Sequence, residues 1–235
     1  MIEGLALSAL DWWSEAGVDV LVDDLPRDWL KSPMAPALAA AISAPIAPPT
    51  PTAPVFPTDL TDYRRWVLSA ATVPGPQAAR LDAVGDPASG IVVVVDMPEA
   101  EDRAAGTLLS GEVGARFDRM LGMIGLDRTS LYILPFAPAR PTTGKIGAGD
   151  QAMLRTLLDH HLALIGPAKL LLLGDALAQG LFSLPLARGR GETRMVRVGA
   201  SDVPAILSFP PRLVAPGATA FRQQARDDLL AFQAL

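Results

Sequence analysis

The sequence predicts an α/β fold with three layers, α over β over α, around a central, mostly parallel four-stranded sheet. Three observations carry the prediction. Short β-branched or leucine-rich runs recur along the chain, stretches with helical spacing of apolar residues separate them, and half of the 235 residues are apolar, enough to bury one substantial core. Strands that alternate with helices form a parallel sheet covered on both faces.

Residues 5 to 16 space their apolar side chains as a short amphipathic helix that Gly17 is placed to stop. Trp12 and Trp13 cannot both lie at the centre of one apolar stripe, so at least one is expected to pack on a second surface. Residues 33 to 57 are mostly Pro and Ala with almost no charge, the composition of an extended linker. The expected organisation is thus an acidic helical segment over 1–32, a linker over 33–58 and an α/β domain over 59–235. A helix is expected over 59–71 with Asp59 or Thr61 as its cap. Gly90-Ile-Val-Val-Val-Val-Asp96 is a strand buried on both faces, and residues 112–124 make an amphipathic helix. Leu131 to Phe136 supplies the second strand and completes a βαβ unit. A helix over about 150–164 leads into the strand Lys169 to Gly174, and a further helix covers about 175–181. Val203 to Phe209 is the fourth strand and 219–235 the last helix. Ligands of such sheets bind beyond the C-terminal strand ends, which directs attention to 96–114, 135–145, 174–175 and 208–216.

Composition excludes several classes of function. The chain has no cysteine and only two histidines, the adjacent His160 and His161, so disulfides, zinc–thiolate sites and cysteine-ligated iron–sulfur clusters are ruled out and no cofactor or metal is expected. Charges, Pro or Gly interrupt every apolar run before it reaches the roughly 20 residues that span a bilayer. Glu3, Asp11 and Glu15 stand where a secretory signal carries basic residues, so the expected location is cytoplasmic. The net charge is −5, and residues 1–32 alone, with seven acids against Arg27 and Lys31, account for all of it. Between Leu186 and Leu213 five arginines face only Glu192 and Asp202. That basic strip reads either as a phosphate-binding surface or as a solvated strand and loop.

Read in order, the strand-end segments resemble the uracil-DNA glycosylase superfamily, and its thermostable bacterial and archaeal family 4 above all. Val95-Asp-Met-Pro98 with Glu101-Asp102 stands where that family has a Gly-Glu-Ala-Pro-Gly loop trailed by acids. Gly106 to Gly111, Gly114 and Asp118 to Leu121 match its Gly-rich turn and Asp-x-Met-Leu helix. Tyr132 to Pro135 through Arg140-Pro141 resembles the strand that ends in Asn and continues to Arg-Pro-Pro. Leu173 to Ala176 resembles the Leu-Gly-x-x-Ala turn, Arg188-Gly189 the Arg-Gly turn, and Ser208-Phe-Pro-Pro211 the Thr-x-His-Pro loop. The likeness covers about residues 60–235 and lies in the ordered set of spacings.

The resemblance implies a catalytic position at Asp96, base-pocket positions at Pro98, Leu109, Pro135 and Pro210, and a DNA partner. Proline lacks both a donor and a titratable group, so Pro135 and Pro210 cannot do what Asn and His do in the family. Losing one such electrostatic donor typically slows a reaction by about 100- to 1000-fold. Asp96 remains able to act as a general base on water, or it accepts backbone N–H groups as a structural residue. Arg140, Lys145, Arg188, Arg190 and Arg212 are candidate DNA-backbone contacts. Three functions remain open: a DNA-binding, repair-type protein with weak or lost uracil excision, a glycosylase of altered base specificity, and a scaffold that docks a protein through its N-terminal helix.

Overall fold

A computed structural model describes residues 55–235. The expected helix over 5–16, and the linker for all but its last residues, lie outside the described residues, as does any protein contact through that helix.

The four expected strands form the parallel centre of a six-stranded sheet. They are β2 (Ile91–Val95), β3 (Tyr132–Pro135), β4 (Lys169–Leu173) and β6 (Ser201–Ser208). Parallel pairing runs β3 to β2, β2 to β4 and β4 to β6. Two antiparallel edge strands complete the order β1-β3-β2-β4-β6-β5. They are β1 (Val84–Gly85), beside β3, and β5 (Thr193–Val198), which forms a hairpin with β6. The sheet thus has six strands rather than four. β1 is two residues long and too short to leave a pattern. In β5, Arg194 and Arg197 interrupt the apolar positions; their cations sit at an edge, where charge discourages pairing with another chain.

Side chains of the parallel strands alternate between two cores. Val92, Val94, Leu170, Leu172, Tyr132 and Leu134 face one layer of helices: α1 (Leu60–Ser69), α4 (Ala148–Ile165) and α5 (Asp175–Phe182). Val93, Val95, Ile133, Leu171, Leu173 and Ile206 face the other: α3 (Gly111–Gly122) and α7 (Thr219–Gln233). Each fully buried Val or Leu contributes about 1.5–3 kcal/mol, so the register is fixed from both faces at once. Two four-residue helices, α2 (Asp102–Ala105) and α6 (Leu186–Gly189), lie in the connections. Asp59 is the cap of α1, accepting from Thr61 N at 2.8 Å and Asp62 N at 3.0 Å. The Tyr63 hydroxyl donates to Leu157 O at 2.7 Å and ties α1 to α4. No helix among the described residues is long and apolar enough to cross a membrane.

Candidate functional site

The C-terminal ends of β2, β3, β4 and β6 gather the loops singled out above. Asp96 follows β2 directly, and its main chain continues the ladder, donating to Leu173 O at 3.3 Å and accepting from Ala137 N at 2.9 Å. Its side chain turns to the first turn of α5, where one oxygen accepts from Ala176 N at 3.3 Å and the other from Leu177 N at 3.0 Å. Gly174 makes this approach possible: a Cβ there would overlap the Asp96 carboxylate, and its φ of 142° is open to glycine. Asp96 is only 4% exposed. Burial pushes its carboxyl up to about 6, against the downward pull of the two N–H donors and of Arg212, while Asp175 adds to the rise. The carboxylate is therefore an anion at a helix N-terminus, with a backbone donor on each oxygen.

The loop after β2 is organised by Asp102, which is fully buried. One oxygen accepts from Glu99 N at 2.8 Å and Leu109 N at 2.9 Å; the other accepts from Ser110 N and Ser110 Oγ, both at 2.7 Å. Leu109 is held with φ of 52°, its carbonyl accepting from Arg128 Nη2 at 2.6 Å. The Leu109 side chain packs into the core with Phe117 and Val95, leaving 2% of its surface exposed. Gly114 passes so close beneath the Leu109 carbonyl that a Cβ would overlap it. Of the glycines read in this turn, Gly114 has a packing reason, and Gly106 and Gly111 adopt positive φ.

Glu99 is the charged centre between the loops. Its carboxylate accepts from Arg212 Nη1 at 3.1 Å and meets Arg140 Nη1 at 3.5 Å, and Arg140 also donates to Pro98 O at 3.1 Å. Both guanidinium side chains are 34% exposed. The structure thus brings together two of the five expected cationic contacts, on a carboxylate the sequence reading did not single out. The third, Arg190, points to α7: it donates to Asp228 at 2.7 and 3.2 Å and to Gln224 O at 2.8 Å, with its guanidinium 5.4 Å from the centre of the Phe209 ring. Ser208 Oγ donates to the same buried Asp228 at 2.7 Å. Arg188 and Lys145 are exposed and, among the described residues, form no ion pair.

Pro98 and Pro210 are buried and Pro135 is half-buried. Pro135 borders a cavity of about 30 Å³ shared with Tyr63, Phe136 and His161, room for about one water and too small for a base. His161 is nearly buried, its Nε2 3.1 Å from the Tyr132 hydroxyl, and burial lowers it to about 4. His160 Nε2 lies 2.8 Å from Pro57 O. Both histidines are spoken for by packing. Among the described residues no group of three or more His, Asp or Glu side chains is placed to hold a metal.

The sequence carried faint signals for the two missed residues. Glu99 stands directly after Pro98, where the resembled loop has glycine, and Asp102 is the second of an acidic pair. Among known families, the model of the Uracil DNA glycosylase superfamily matches residues 83–230, more than half of the chain. No curated protein matches the sequence.

Proposed function

The chain belongs to the uracil DNA glycosylase superfamily, and from that premise we propose that it is a cytoplasmic, DNA-binding protein of the base-excision-repair type whose ordinary uracil excision is weak or lost. One observation carries this reading: each oxygen of the buried Asp96 carboxylate already accepts a backbone N–H of α5. A general base has to reach its proton at hydrogen-bond distance, and here the carboxylate is 4% exposed and turned to the backbone of α5, which leaves water little room to approach it. Pro135 and Pro210, where the resembled family places Asn and His, add no donor to read a base or to stabilise developing charge. Glu99 draws Arg140 and Arg212 together, so the surface that remains for phosphate is moderate.

A second reading, a glycosylase of altered base specificity, has one observation in its favour. A carboxyl near pH 6 lies close to the operating pH, where a general base is most effective. The experiment that separates the two incubates the full chain, and its Asp96→Asn variant, with labelled single- and double-stranded oligonucleotides containing uracil, hypoxanthine or xanthine at low salt. Retention of the oligonucleotide without base release is the expected result. Base release that Asp96→Asn abolishes would overturn the first reading and establish the second.

A further inference from the structure

A second hollow of the surface lies away from Asp96. α3 and α7 cover the same face of the sheet, and their C-terminal ends are tied where Gln233 Nε2 donates to Ile124 O at 3.1 Å. A groove of about 720 Å³ opens between the C-terminal half of α3 and the N-terminal half of α7. Arg116 and Arg119 of α3 and Arg222 and Arg226 of α7 line it, with Met120, Met123, Val214 and Pro216 as the apolar part of its wall, and it contains no acidic residue. Arg116 is held by Glu112 at 3.0 Å. Arg119, Arg222 and Arg226 are exposed and form no ion pair among the described residues. In a chain of net charge −5, four guanidiniums in one acid-free groove concentrate positive potential against the overall charge.

We propose that this groove binds the phosphodiester backbone of a DNA strand that continues past the strand-end site, making it a second contact separate from the base-recognition loops. This inference rests on the DNA-binding reading above. Three features select the backbone of a nucleic acid as occupant. Val214 and Pro216 belong to the β6–α7 loop, whose Arg212 reaches Glu99, so one loop serves both the groove and the site at the strand ends. The arginines repeat along the axis of each helix, Arg222 and Arg226 about 6 Å apart at 1.5 Å per residue, in keeping with a ligand that carries a charge at every repeating unit. The lining has no aromatic ring, so bases have no stacking platform, and the contact reads charge without sequence.

The test is fluorescence anisotropy of the full chain with a labelled oligo-dT, from 50 to 200 mM salt, against two triple variants. R119Q/R222Q/R226Q removes the charges; R119K/R222K/R226K keeps them as point charges. All three positions are exposed helix surface, so thermal unfolding serves as the folding control. Each phosphate contact to a single strand contributes about 0.7 to the slope of log K against log salt. The glutamine variant is expected to lose about 2 from the slope magnitude and at least tenfold in affinity at 50 mM salt, and the lysine variant to keep both. Wild-type binding with an unchanged slope in the glutamine variant would overturn the groove and leave the DNA-binding reading standing. Absence of wild-type binding would overturn both. A glutamine variant that loses binding of poly-aspartate while its DNA binding is unchanged would make the groove a protein-docking surface and overturn the proposal.

Discussion

Asp102 offers the sharpest test of how the loop after β2 is built. The residue is fully buried, and its carboxylate accepts four hydrogen bonds, two on each oxygen, from Glu99 N, Leu109 N, Ser110 N and Ser110 Oγ. Asp102→Ala removes the acceptor for all of them. A hydrogen bond to a charged group is worth about 1.5–3 kcal/mol, and a buried donor left unpaired costs about 1–3 kcal/mol. The amides of Glu99 and Leu109 are both in buried bonds, whereas Ser110 is partly open to water. Because bonds made by one group do not add independently, the expected loss is about 3–5 kcal/mol rather than the sum. Asp102→Asn keeps one accepting oxygen and turns an NH₂ towards the other pair of donors, so an intermediate loss of about 2 kcal/mol is expected. Urea denaturation followed by circular dichroism reads both, with the slope m reporting whether the unfolding transition itself has changed. A loss below about 1 kcal/mol for the alanine variant, at unchanged m, would refute the claim that this carboxylate organises the loop.

Three further outcomes are expected. Burial raises Asp96 from its ordinary 3.8 to about 6, so between these values the folded chain holds a proton that the unfolded chain has released, and stability falls by about 3 kcal/mol as pH rises through the window. His161, lowered from 6.5 to about 4, acts oppositely: its contribution is intact above 6.5 and is lost, by about 3 kcal/mol, as pH falls to about 4. Their effects oppose one another between pH 4 and 6. Urea midpoints at pH 4, 5, 6 and 7 should therefore rise more steeply with pH in Asp96→Asn than in wild type and fall with pH in His161→Gln; parallel curves for the three proteins would contradict this. Arg190→Ala breaks a pair with the 1% exposed Asp228, and should cost about 3 kcal/mol, while Arg188→Ala on the exposed surface changes stability by less than about 0.5 kcal/mol; equal thermal shifts would show that Arg190 is not structural. Glu99→Gln removes the charge that holds Arg140 and Arg212, and oligo-dT affinity should rise together with the steepness of its salt dependence, by up to about 1.4 for two added phosphate contacts. Unchanged affinity would mean that these arginines do not face DNA.

What the sequence determined by itself is what local pattern carries. Four largely apolar runs became the four parallel strands, because a strand buried on both faces is apolar along most of its length. The start of α1 also followed from a local signal, with Asp59 as its cap. The loops at the strand ends were found for the same reason: the topology of a parallel sheet places them there whatever their sequence. Tertiary structure alone decided which way the polar side chains in those loops turn. Asp96 lies 81 positions before Leu177, Glu99 lies 113 before Arg212, and Arg190 lies 38 before Asp228. No periodicity couples residues so far apart. An arginine at a strand end looks the same in sequence whether it faces a phosphate or a buried carboxylate. The groove between α3 and α7 is of this kind too, since its four arginines come from two helices more than a hundred residues apart that became neighbours only when both buried their apolar faces on one side of the sheet.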